Sequence, residues 1–205
     1  NLESIVNPTS DNRKTVDLLW FPTGGGKTEA YLGLVAFTIA YRRLRGYKDG
    51  AISDQSLGTA VLMRYTLRLL TVQQFQRAAS LICSMEDIRE NDKDLNLGET
   101  RFSLGLWIGG DGSPNSCTVA KTAINHFKKG DVEGNPLVLT ECPWCRSEIG
   151  RLARRPAKIN TRIWPDLSLA GIGTDGRNEP VLKCSDESCH FGGEYGTLPI
   201  EVIDE

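Results

Sequence analysis

The chain has 205 residues, 40% hydrophobic and 24% charged, enough for one well-cored domain or one domain with a small insertion. Its net charge of −2 excludes a uniformly basic nucleic-acid coat but leaves room for a local basic patch. No uncharged apolar run is long enough to span a membrane, and no basic-then-apolar leader opens the chain, so a cytoplasmic location without a membrane partner is expected.

Residues 1–15 are polar and read as a lead-in loop. Residues 16–21 (VDLLWF) form a short apolar run before Pro22, which suits a buried strand. The segment EAYLGLVAFTIAYRRLR predicts a mostly buried helix that stops at basic residues followed by Gly46. A polar loop over 46–58 leads to a second strand at 59–65 (TAVLMRY). Apolar residues Val72, Phe75, Ala79, Ile82, Met85 and Ile88 then recur at helical spacing, predicting an amphipathic helix from Thr71 to Arg89. A charged loop over 90–99 precedes a third strand at 102–108 (FSLGLWI). This strand–helix alternation predicts an α/β fold with a parallel sheet and right-handed crossovers. GGDGSPNS breaks the pattern, a short helix follows over about 118–129, and residues 199–203 resume a strand-like run. The chain stops in mid-pattern, as a piece of something longer would.

Thr23-Gly24-Gly25-Gly26-Lys27-Thr28 stands between a predicted strand and a predicted helix, the context of a phosphate-binding loop. The glycines let backbone N–H groups close around a β-phosphate without a Cβ clash. Lys27 would reach the β- and γ-phosphates of ATP, and the Thr28 hydroxyl would hold Mg²⁺. The outer glycine of the strict pattern is replaced by Phe21.

Cys142-Pro143-Trp144-Cys145 is one close cysteine pair, and Cys184 with Cys189 is another. Two such turns can present four thiolates to one tetrahedral Zn²⁺. His190 is an alternative fourth ligand, and a redox role for Cys142 and Cys145 is the lesser reading, because its expected fold context is missing. Cys83 and Cys117 read as packing residues. Between the pairs, Arg146, Arg151, Arg154, Arg155, Lys158 and Arg162 face only Glu148, with Trp144 and Trp164 at the ends of the tract. That composition fits either nucleic-acid contact or a solvated face.

The phosphate loop without an outer glycine resembles that of superfamily-two helicases. Three blocks, LWFPTGGGKTEAYLGL, TAVLMRYTLRLLTVQQFQR and FSLGLWIGGDGSPN, extend the resemblance to the helicase family of the DISARM anti-phage defence systems (DrmA) and related bacterial helicase-like proteins, over most of residues 16–205. Thr66 to Gln73 is similar to the helicase block that touches the nucleic-acid backbone, with Arg68, Leu70 and Gln73 matching and Thr66 and Leu67 departing from it. The resemblance implies a RecA-like P-loop lobe over 1–110, an insertion with a zinc module over 111–198, and a return strand over 199–205 toward the lobe. It also implies ATP, Mg²⁺ and Zn²⁺ as cofactors. Implied partners are single-stranded DNA or DNA with single-stranded ends, a second RecA-like lobe in the same parent chain, and another defence-system protein. Asp204 and Glu205 end the chain in what resembles an acidic Mg²⁺-binding box, whereas the family pattern puts that box later; both readings stand. The expected function is the first motor lobe of an ATP-hydrolysing DNA helicase or translocase in phage defence, the piece itself turning over little. The rival readings are a zinc-dependent binding module with a degenerate phosphate loop, and another P-loop phosphotransferase.

Overall fold

The computed structural model describes every residue except 1, 19, 21–24, 49–50, 54–55, 66–67, 108–113, 115, 130–138, 151, 156–165, 170, 176, 178, 194–195 and 202–205. Its elements in chain order are α1 (Leu2–Val6), α2 (Lys27–Gly46), β1 (Tyr47–Lys48), β2 (Ala51–Ile52), α3 (Arg68–Asn91), β3 (Leu104–Gly105), α4 (Cys117–Lys129), β4 (Leu152–Arg155), β5 (Asp166–Leu169), β6 (Ile172–Thr174), β7 (Pro180–Leu182) and β8 (Ile200–Glu201). The chain divides into two compact units, one of Asn1–Tyr65 with Met85–Arg101, the other of Thr66–Ser84 with Phe102–Glu205. Helix α3 contributes to both.

In the first unit the dominant element is the 20-residue α2. The sequence predicts it mostly buried, yet Arg43 is its single buried residue. The expected strand at 16–21 is not seen among its described residues: Val16, Leu18 and Trp20 are 94%, 89% and 85% exposed and carry no strand. Residues 59–65 carry none either, and Leu62 is exposed. Apolar alternation makes a segment competent to be a strand, but a strand persists only when a neighbour pairs its backbone groups.

The interior of this unit is instead partly ionic. Glu86 and Arg89 of α3 form a two-pronged pair, Arg89 Nε to Glu86 Oε2 at 2.9 Å and Nη2 to Oε1 at 2.7 Å. Both side chains are buried. Arg89 also donates to the Gly98 carbonyl at 3.0 Å, and Arg43 donates to the carbonyls of Leu97 and Thr100 at 3.2 and 2.8 Å. Two guanidinium groups thus tie residues 97–100 to α2 and α3. Burial, then the nearby Arg89 charge, holds the Arg43 pKa below its ordinary value, while the hydrogen bond that Arg89 donates to Glu86 raises that of Arg89. This explains why Ile88 is exposed although its spacing assigns it to the apolar face: the buried stripe of α3 turns through Glu86 and Arg89 instead.

The second unit holds the apolar core. Phe75, Ala79 and Cys83 of α3 and Ile124 of α4 pack with Leu139, Ile149, Leu182, Phe191, Leu198 and Ile200. Helix α4 starts one residue before its expected position, with the Ser116 hydroxyl accepting the Val119 N–H at 3.3 Å as an N-terminal cap. Strand β8 lies in the expected return run and pairs in parallel with β3, Leu104 opposite Ile200 and Gly105 opposite Glu201. The described sheets are all two-stranded, and β3–β8 is the parallel one. The fold is therefore mixed helix and strand with a small parallel sheet. Among the described residues, no helix is long and apolar enough to cross a membrane.

Candidate metal centre and phosphate loop

The four paired cysteines come together. The sulfur atoms of Cys142, Cys145, Cys184 and Cys189 all lie within 4.8 Å of one another, and all four are free thiols. In a tetrahedral thiolate site, zinc–sulfur bonds of about 2.3 Å require sulfur–sulfur separations of about 3.8 Å. Cys145 Sγ and Cys184 Sγ, one from each pair, are 3.2 Å apart. The donor set therefore fits a metal ion such as zinc if sulfur separations change by about 1 Å or less.

Each pair is held by a tight backbone turn. In the first, the Cys142 N–H donates to the Ser147 carbonyl at 2.7 Å and the Arg146 N–H to the Cys142 carbonyl at 3.0 Å. Arg146 adopts a left-handed φ of 69°, a position that favours glycine, and its side chain pairs with Glu141. In the second, the Cys184 N–H donates to the Phe191 carbonyl at 2.9 Å, the Cys189 N–H to the Asp186 carbonyl at 3.1 Å, and the Gly192 N–H to the Cys189 carbonyl at 2.8 Å. Cys142 and Cys184 are also part of the apolar core, so the same residues anchor the turns and offer thiol ligands.

The thiols differ in acidity. Burial raises the Cys145 pKa, but hydrogen bonds to Ser147, through its side chain and backbone, and to Cys184 and Cys189 outweigh it and bring the group down to about 7. Burial pushes Cys189 up to about 11 and Cys184 well above the ordinary thiol range. Four thiolates in so small a volume repel one another, and a divalent cation is what would let them ionise together.

His190, the alternative fourth ligand, lies outside the sulfur cluster. Its ring meets Phe191 edge-on at 4.6 Å and Trp144 at 6.0 Å. Trp144 is exposed. Of the basic tract, Arg146 is described and exposed, Arg154 and Arg155 lie on β4, and Arg151, Lys158, Arg162 and Trp164 lie outside the described residues.

At the phosphate loop, Thr23 and Gly24 lie outside the described residues, and Gly25 and Gly26 form an exposed bend. Gly26 has φ 76° and ψ 20°, a left-handed conformation directly before α2, and its carbonyl accepts the Ala30 N–H at 3.1 Å. Lys27 and Thr28, half-buried, are the first two helical residues. They thus stand at a helix start, the place in a fold where backbone N–H groups can meet an anion. Arg68 begins α3, and Gln73 is exposed on it. Asp204 and Glu205 lie outside the described residues.

Two residues of the metal centre were not singled out from the sequence. Ser147 sits 3.2 Å from the Cys145 sulfur. Gly192 has no room for a side chain, since a Cβ there would stand 2.0 Å from the Asp186 carbonyl oxygen. Their signal was positional, a hydroxyl two residues after one thiol and a glycine three after another.

No protein-family model matches the chain. It is 35% identical, over all of its length, to the DISARM protein DrmA of Bacillus paralicheniformis, and it spans 17% of that protein. The chain is related, from end to end, to a segment of DISARM protein DrmA.

Proposed function

We propose that the chain is the first motor lobe of an ATP-dependent DNA helicase or translocase that works in bacterial phage defence. The whole-length relationship to DrmA carries the reading, because the related stretch includes both the phosphate loop and the paired cysteines. In this role the lobe is RecA-like. Thr23, Gly24, Gly25, Gly26 and Lys27 cradle the phosphates of ATP, and Thr28 holds Mg²⁺. Support comes from the left-handed Gly26 and the helix that Lys27 opens. Arg68 and Gln73 contact the backbone of single-stranded DNA, a contact that carries no sequence information. Hydrolysis needs groups from a second RecA-like lobe of the parent protein, and another defence-system protein is the expected partner.

The four-cysteine centre, in this reading, holds one structural Zn²⁺. Its four protein ligands leave no open position for substrate, so the metal cross-links turns rather than performing chemistry. The insertion over 111–198 would depend on it. The division into 1–110, 111–198 and 199–205 belongs to the same proposal.

The test is Mg²⁺-dependent binding of a fluorescent ATP analogue to the chain and to its Lys27→Ala variant. Weak binding that needs Mg²⁺ and disappears in the variant supports the reading. Mg²⁺-dependent binding indifferent to Lys27→Ala would leave the phosphate loop without its role.

A further inference from the structure

At the end of α2 away from the phosphate loop, the first unit encloses an open cleft of about 820 Å³. Arg42 lies about four turns from Lys27 along the same helix, about 22 Å. This cleft therefore belongs to neither the phosphate loop nor the cysteine centre.

Its walls are polar. Arg13 comes from the turn at Asp11–Lys14, Arg42 and Arg45 from the last turn of α2, and Asp17 is the one carboxylate among the described lining residues. Asn12 and several hydroxyl groups, Thr38 among them, complete the lining. Among the described lining residues, three guanidinium groups stand with one carboxylate. The C-terminal end of α2 offsets part of the cost of gathering them there.

The guanidinium groups are held by the backbone. Arg13 donates to the Ser4 carbonyl at 2.6 Å, Arg42 to those of Thr59 and Leu57 at 2.8 and 3.1 Å, and Arg45 to that of Val6 at 3.2 Å. Tyr41 also donates to the Val6 carbonyl, at 3.2 Å. Carbonyls orient a guanidinium without neutralising it. For Arg13 and Arg45 these bonds use one terminal nitrogen, and the planar fork keeps other N–H donors. Oriented, charged forks beside hydroxyl and amide groups suit phosphate oxygens and sugar hydroxyls. The volume is that of sites for ligands of nucleotide size, far more than a bare phosphate fills.

We infer that this cleft is a second anion site, which takes the phosphate of a sugar phosphate through Arg13, Arg42 and Arg45. A free nucleotide and the end of a nucleic-acid strand share that chemistry. The inference goes beyond the motor-lobe reading and stands whether or not the phosphate loop binds ATP.

The test uses the whole chain carrying Lys27→Ala, which disables the phosphate loop. The probes are AMP and a 5′-phosphorylated oligothymidylate, titrated by calorimetry at two salt concentrations. Binding is expected to weaken about a hundredfold in R13Q/R45Q, each of the two lost charge-assisted contacts being worth about tenfold. Asp17→Asn, which removes the opposing charge, is expected to tighten it severalfold. That second variant keeps the test decisive if R13Q/R45Q fails to fold. AMP binding that weakens in R13Q/R45Q identifies a small-molecule site, and oligonucleotide binding without AMP that needs the 5′-phosphate and weakens in R13Q/R45Q identifies a strand-end site, distinct from backbone contact at Arg68 and Gln73. Absence of binding by both probes, or affinity unmoved by Asp17→Asn, overturns the inference.

Discussion

Gly192 stands where the second cysteine turn folds back on itself, and the Asp186 carbonyl occupies the space a methyl group would need. Relief requires moving that carbonyl, which also receives the Cys189 N–H. Gly192→Ala is therefore expected to displace Cys189 and lower the zinc content of the purified chain from about one ion to a small fraction of one. Elemental analysis of the purified variant checks this; a full zinc complement would show that the turn yields without cost to the ligand. The buried Glu86–Arg89 pair permits a second forecast at this scale. Arg89→Leu leaves a carboxylate buried beside carbonyls and is expected to cost about 3–5 kcal/mol, whereas replacing both partners with leucine should recover much of the loss. Denaturant unfolding of the single and double variants decides it. Equal destabilisation by the two would mean that the carbonyl bonds of Arg89, not the pairing, carry the energy.

Helix α2 contains Gly33, which is exposed and has no atom within 4 Å of where a Cβ would sit. A glycine in a helix interior sacrifices about 1 kcal/mol relative to alanine through backbone entropy. Gly33→Ala is expected to raise the stability of the chain by about 0.5–1 kcal/mol, read as a higher denaturant midpoint at unchanged slope; a loss of stability would mean that the added methyl group meets a neighbour. Helices α2 and α3 were legible in the sequence because their signals are local: apolar residues at helical spacing in α3, and a basic last turn before Gly46 in α2. The cysteine centre was legible for the same reason, since each half is a short turn with its own spacing. The runs at 16–21 and 59–65 show where such reading stops. Val16, Leu18 and Leu62 have the composition of strand residues, but pairing is settled by distant neighbours, and these residues are exposed. The return strand was legible because β8 finds β3, a partner almost a hundred residues earlier. The turn of the α3 stripe from Ile88 to Arg89 was not, because a buried ion pair looks, in sequence, like a solvated one.

At the scale of the whole molecule, the two units bear different parts of the proposed motor. Lys27 lies in the first, and Arg68, Gln73 and the cysteine centre lie in the second. Coupling between nucleotide and nucleic acid would have to be carried between them, which makes a combined assay more informative than separate binding tests. Since the proposal takes hydrolysis to need a second lobe of the parent protein, these 205 residues by themselves are expected to hydrolyse ATP at a small fraction of the parent's rate; robust turnover by them would remove the need for that lobe. The most direct measurement is ATP turnover by the full-length parent protein with and without single-stranded DNA, with Lys27→Ala as the control. Turnover is expected to rise strongly with DNA and to be abolished by Lys27→Ala. Turnover indifferent to DNA, or DNA-stimulated turnover that survives Lys27→Ala, would overturn the motor-lobe reading.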